Sequence, residues 1–270
     1  MSIRKAAVEG RFYPSSPAQL REDIEGYLSA ARSLQGANAN TFPAVNVLIA
    51  PHAGYVFSGA VAARGYACVS KNIKTVIIIG PSHYQRFNGL YISDVDYFET
   101  PLGKVKLNKD IVSQLKSNPV CRDIFGVDEK EHCLEVQLPF LQVLLNEFTI
   151  VPVLTGVVDP AAAAGMLLPF MGDTVLVIAS SDLSHFFNQD KARRVDDESI
   201  STITAGDVDG PIDGCGEDAI RVVMNLAERM GLSPQLLDAR TSYETAPRYG
   251  DPDRVVGYAS IIYVNKKDAG

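Results

Sequence analysis

The apolar positions along the chain come in short unbroken runs. "AVNVLIA" (44–50), "TVIIIG" (75–80), "TIVPVLTG" (149–156) and "TVLVIASSDLS" (174–184) are rich in β-branched residues. Near-continuous runs of this kind mark strands covered on both faces, whereas a strand with one wet face alternates. Two further strands are expected over 234–243 and 255–264. "YISDVDYFETPLGKVKL" (91–107) alternates around a Pro-Leu-Gly turn and predicts a hairpin. Segments of helical composition lie between the runs, at 58–69, 131–148, 160–171, 189–204 and 215–231. Pro139 falls inside the second of these and predicts a kink. The alternation predicts the α/β class: a mixed, mostly parallel sheet between two helical layers. No Ser/Gly linker, repeat or low-complexity tract interrupts it, so residues 1–270 read as one domain.

Composition narrows the classes. A chain of 270 residues with 46% hydrophobic content can bury a sizeable core. Its 25 basic and 32 acidic residues leave a net charge of −7, which argues against a broad basic surface for nucleic acid. No apolar run approaches the roughly 20 residues of a membrane helix. The start, "MSIRKAAVEGRFYP", has no apolar signal-peptide core. A cytoplasmic protein with no membrane and no nucleic-acid partner is therefore expected. Cys68, Cys121, Cys133 and Cys215 form no CxxC pair, and no disulfide framework is expected in a reducing compartment. Cys68 and Cys133 read as small core hydrophobes and Cys121 as a loop thiol.

The four histidines change the picture. His52 follows "VLIA" in "PHAG", His83 follows "VIIIG" in "PSHY", and Asp182 and His185 follow "TVLVIAS" in "SDLSH". Ligands of open α/β sheets bind beyond the carboxyl ends of the strands, and three strand exits here carry histidine. His132 lies in "DEKEHCLEVQLP" at an expected helix start, with Glu135 three residues on and on the same face. Such a pair holds a metal or a proton; the plain alternative is acidic residues favoured by the helix dipole. Cys215, in "DGCGEDAIRVVMNLAERMG", precedes a strong helix. A cysteine at a helix N-terminus is expected to have a lowered pKa, and its thiolate is the form that binds metal or attacks an electrophile. The flanking glycines let backbone approach whatever the sulfur touches. Two histidines and one anionic ligand suit non-haem iron, tetrahedral zinc or copper, and ligand chemistry alone does not choose among them. Near these groups, Tyr55 and Tyr84 are candidates to line the pocket. Ser58 and Gly59 are candidates to hold an anion, and Asp182 to orient a histidine.

The stretches "AVEGRFYP", "APHAGYVFSG", "GPSHY", "YFETPLG", "DEKEHCLEVQLPFL", "IVPVLTG", "SSDLSHF", "GCGEDAI" and "VVGYASI" together resemble the Memo family, in order and over about 6–262. That family is similar in fold to the class III extradiol (LigB-like) dioxygenases, which use non-haem Fe(II) to open catechol rings. The resemblance implies metal ligands at His52, His83 and Cys215. It implies an acid/base histidine at His185, with Asp182 and His132 in the same pocket. Fe(II) is the cofactor expected first, with copper or zinc as alternatives. The cysteine stands where the dioxygenases have a glutamate, so catechol cleavage does not carry over automatically. Three functions remain open. The first is metal-dependent redox chemistry on a small substrate, and the second is a non-catalytic module binding a peptide or partner protein in the same pocket. The third is a zinc-dependent hydrolase or one using a Cys215–His pair.

Overall fold

The computed structural model describes residues 1–35 and 45–266. In chain order the elements are β1 (Ile3–Arg4), α1 (Pro17–Gln35), β2 (Val47–Ala50), α2 (Tyr55–Tyr66), β3 (Thr75–Pro81), β4 (Leu90–Ile92), β5 (Tyr97–Thr100), β6 (Gly103–Leu107), α3 (Lys109–Lys116) and β7 (Cys121–Arg122). There follow α4 (Leu138–Leu144), β8 (Thr149–Thr155), α5 (Pro160–Leu167), β9 (Val175–Ser180), β10 (His185–Phe187), α6 (Gln189–Ala205), α7 (Glu217–Arg229), β11 (Leu232–Thr241), α8 (Ser242–Thr245) and β12 (Val255–Asn265). The strands form one 12-stranded sheet whose main path runs β1-β5-β6-β8-β3-β9-β2-β12-β10.

The centre of that path is parallel. Strand β3 pairs in parallel with β8 and β9, and β9 with β2. Strand β12 then runs antiparallel to β2, β10 and β11. Every residue of β2, β3 and β9 is buried, as strands covered on both faces require. Side chains alternate between two cores. Leu48, Ile78 and Ile178 pack with Leu20 and Ile24 of α1, Ala62 of α2 and Leu141 of α4. Ile49, Ile77 and Val177 pack on the other face with Ala163 of α5, Ile203 of α6 and Val223 of α7. The result is the three-layer α/β/α architecture that the apolar runs predict.

Four local expectations are corrected. The strand expected over 44–50 is β2, which begins at Val47, and Ala44 lies outside the described residues. Residues 90–92 do not join the hairpin: they pair antiparallel with β8, and the hairpin is β5–β6 alone. The expected helix over 131–148 is mostly turns and a 3₁₀ segment at Glu135–Gln137, with α-helix only over Leu138–Leu144. Pro139 sits in the first turn of α4, where its missing N–H would be unpaired anyway, so it starts a helix and kinks none. Helix α1 has no long apolar run. Its buried Leu20, Ile24, Leu28 and Ala31 recur every three or four residues among polar ones and form a single stripe.

Candidate metal centre

Because β3, β9 and β2 are parallel neighbours, their carboxyl ends open at one edge of the sheet. His52, His83 and Asp182 leave from there, as the sequence predicts. His185 arrives at the same edge in β10, opposite Val256 near the start of β12. His132 comes from the turn before the 3₁₀ segment, which lies against the end of β3. A Cβ added to Gly80 would stand 2.5 Å from Cys133 Sγ, so only glycine there lets the 131–133 turn approach.

Three imidazoles meet at this edge. Ring centroids are 5.2 Å apart for His52–His83, 5.3 Å for His52–His132 and 4.5 Å for His83–His132. One ligand nitrogen from each lies within 4.8 Å of the others. Cys215 Sγ stands 3.1 Å from His52 Nε2. The backbone on either side of Cys215 abuts the end of β9. Cβ atoms added to Gly214 and Gly216 would lie 2.9 Å from Asp182 O and 2.8 Å from Ser180 O. The glycines flanking the cysteine therefore permit the close approach that the sequence suggests.

The surrounding hydrogen bonds orient the rings. Ser180 Oγ donates to Cys133 O at 2.7 Å and accepts from Gln137 Nε2 at 2.8 Å. Gln137 is itself oriented by Tyr66, whose hydroxyl donates to its Oε1, and by Pro51 O, which accepts from its Nε2. With its only hydrogen committed, Ser180 must accept from His52 Nδ1, 3.0 Å away, so the network assigns the proton to Nδ1 and the lone pair to Nε2. Asp182 accepts from the backbone N–H of His52 at 2.7 Å, holding the loop rather than a ring. His132 packs edge-on against Phe12, centroids 4.8 Å apart. Its Nδ1 stands 3.3 Å from Glu131 Oε1, but the pair lacks hydrogen-bond geometry, which leaves a buried nitrogen unsatisfied.

Burial sets the protonation. It pushes His52 down to about 3, helped by the neighbouring His83, and His132 down to about 4, helped by His52 and His83. Burial and then the charge of Asp182 push the Cys215 thiol up to about 12. The lowered cysteine pKa expected from the helix N-terminus is therefore not found: desolvation by the packed fold outweighs the dipole. Burial also raises Asp182, against the His52 N–H bond and the field of His185. Three imidazoles, His52 buried, His132 half-buried and His83 exposed, with a half-buried thiol and one nitrogen orphaned, suit a transition-metal cation, and imidazole with sulfur suits iron, copper or zinc.

Other candidates find other work. Glu135 does not pair with His132. It is fully buried, takes the guanidinium of Arg4, and accepts from Ala7 N, Val8 N and the Tyr13 hydroxyl. The reason is the missing helix: without it, residues three apart share no face. Glu131 reaches the histidines instead. Its Oε1 accepts from His83 Nδ1 at 2.8 Å, and its Oε2 from His83 N at 2.8 Å. Burial opposes its charge, yet the hydrogen bonds from the His83 ring and from the backbone N–H groups of His83 and Cys133 hold it down at about 2. Its one sequence signal was adjacency to His132, which a helical reading discards. Tyr55 is buried and donates to Val136 O, Ser58 is buried and donates to Ala53 O, and Tyr84 is exposed. A cavity of about 360 Å³ opens beside Cys215, bounded by Ser82, Phe87, Gly156 and Asp218.

An α/β domain with a His/His/Cys-type arrangement able to hold a metal at its sheet edge is thus the class that fold and site define. The model of the Memo-like protein family matches residues 4–262. A MEMO1 family protein of Thermoplasma volcanium is 35% identical, covering 96% of this chain and 98% of its own. One from Sulfolobus acidocaldarius is 34% identical over 97% and 99%, and one from Methanobrevibacter smithii 33% identical over 97% and 99%. The chain belongs to the Memo family.

Proposed function

We infer that this protein holds a redox-active transition metal, Fe(II) first and copper as the alternative, and acts on a small organic molecule. The observation that carries the reading is the convergence of three imidazoles within 4.8 Å, with the Cys215 sulfur 3.1 Å from His52 Nε2. His52, His83 and Cys215 would hold the ion, and His132 stands in reach as a further nitrogen donor. When bound, such a metal supplies electron transfer and activation of oxygen or a related oxidant. The protein's own residues do the rest. Ser180 holds His52 with Nε2 free. The cavity beside Cys215 has the volume of a small-molecule site and brings a substrate to the sulfur side. His185, brought to the same sheet edge in β10, is the group suited to carry a proton. Asp182 is tied to backbone N–H and positions the His52 loop.

The 3.1 Å Cys215–His52 contact is also the spacing of a nucleophile and its base, as a hydrolase would need. With the thiol held up at about 12 and the imidazole down at about 3, the pair stays neutral and the sulfur a poor nucleophile. The test is metal analysis of untagged protein purified without added metal. Stoichiometric iron or copper is expected. Zinc alone would favour hydrolysis, and no ion after anaerobic reconstitution would favour a binding module. Cobalt(II)-loaded protein should show a thiolate charge-transfer band that Cys215→Ala abolishes. That variant should also lose more affinity than the about 10–100-fold typical of outer hydrogen-bond partners.

A further inference from the structure

We propose that Glu131 is the positioning residue of this centre, setting the His83 tautomer and locking two ligand-bearing segments together. The proposal rests on the metal reading for its consequence but not for its geometry. Glu131 is 1% exposed and makes four hydrogen bonds through its carboxylate. Oε1 accepts from His83 Nδ1 at 2.8 Å, His132 N at 2.8 Å and Cys133 N at 3.1 Å. Oε2 accepts from His83 N at 2.8 Å. An ionised carboxylate only accepts, so His83 Nδ1 must carry a proton, and in the neutral ring Nε2 then keeps the lone pair. One side chain thus ties the loop after β3 to the turn at 131–133 and determines which nitrogen His83 offers. The backbone carbonyl of Glu131 in turn accepts from Arg4, which fixes the turn to the first strand.

The two histidines that leave the parallel strands are treated alike. His52 Nδ1 donates to Ser180 and His83 Nδ1 to Glu131, so both present Nε2. The partners differ in charge. Ser180 is neutral, whereas Glu131 is an anion and makes His83 the more basic donor. A carboxylate behind a ligating imidazole raises metal affinity and holds the ring in the binding orientation before the ion arrives.

The experiment reads the tautomer directly, on metal-free protein, so that it stands whether or not the metal reading does. Long-range ¹H–¹⁵N spectra of ¹⁵N-histidine-labelled protein at about pH 8, above the ordinary imidazole pKa of about 6.5, report which nitrogen is protonated. His83 is expected as the Nδ1–H form in the parent. In Glu131→Ala it should pass to a mixture rich in Nε2–H. Glu131→Gln keeps the volume for a fold control, but one oxygen cannot serve all four N–H groups, so it should shift part of the way. A residue important only for folding would lower the melting temperature of these variants and leave the tautomer alone. Nε2–H in the parent, or unchanged Nδ1–H in both variants, would overturn the assignment. Zinc(II) affinity of Glu131→Gln should fall about 10–100-fold, and a loss below about threefold would overturn its role toward the metal. A parent that binds no ion refutes the proposed function, while the spectra still decide the tautomer.

Discussion

Ser180 has one hydrogen, and its donation to Cys133 O is what makes His52 a donor at Nδ1 and a free base at Nε2. Among the described residues His185 is not one of the converging nitrogens, so the proposed proton carrier and the proposed ligands are separate side chains. From this follows a prediction for His185→Gln. Metal affinity should stay close to that of the parent, while turnover loses the about 10²–10⁴-fold that a positioned acid/base contributes. Oxygen uptake by Fe(II)-loaded parent and variant, with a panel of catechols and small thiols, reads this. Uptake that persists unchanged removes His185 from the chemistry, and weakened metal binding makes it a ligand.

Helix α6 carries a further buried carboxylate away from the converging rings. Asp196 Oδ1 accepts from Ser184 N at 3.0 Å, and a Cβ at Gly257 would collide with its oxygens, so α6, the segment before β10 and the start of β12 close on one side chain. Burial raises Asp196 to about 6 despite the Ser184 bond. Its folded pKa lies above that of an unfolded aspartate, about 3.9. The protonated form is therefore the one the fold favours. The contribution to stability is complete below about pH 4 and is lost as pH rises through 6. Asp196→Asn keeps the acceptor and removes the titration. Urea unfolding of parent and variant from pH 4 to 7 should give a stability difference that moves in the parent's disfavour across this window. A difference independent of pH would show that Asp196 does not titrate there.

Across the whole molecule, the first strand and the 131–135 turn are tied together by a buried ion pair. Arg4 and Glu135 have side chains 3% and 0% exposed, and Arg4 also donates to the carbonyls of Glu131 and Asp128. Phe12, further along the same N-terminal segment, packs on His132, so the start of the chain supports the centre from 120 residues away in sequence. Removing one partner of a buried pair leaves an uncompensated charge. Arg4→Ala should destabilise by about 3–5 kcal/mol, seen as a lower urea midpoint at unchanged slope. A loss below about 1 kcal/mol, typical of exposed pairs, would mean the pair is not desolvated.

The sequence by itself determined the α/β class, the parallel centre of the sheet and the single edge at which His52, His83 and His185 gather. Short, unbroken β-branched runs favour strands buried on both faces over helix, and residues just past the ends of parallel neighbours share an edge. It also singled out Cys215, through glycines that later proved to abut β9. Only the tertiary structure decided the rest. Helix α1 escaped notice because its apolar residues are single and spaced, and their stripe becomes legible once a sheet face is there to receive it. Glu131 took the place beside the histidines expected of Glu135, because the turn at 131–134 follows its contacts with β3 and Arg4, and local helical spacing lost to them. The protonation of Cys215 followed the same rule. A helix N-terminus is visible in sequence, but the desolvation that outweighs it depends on what the fold packs around the sulfur.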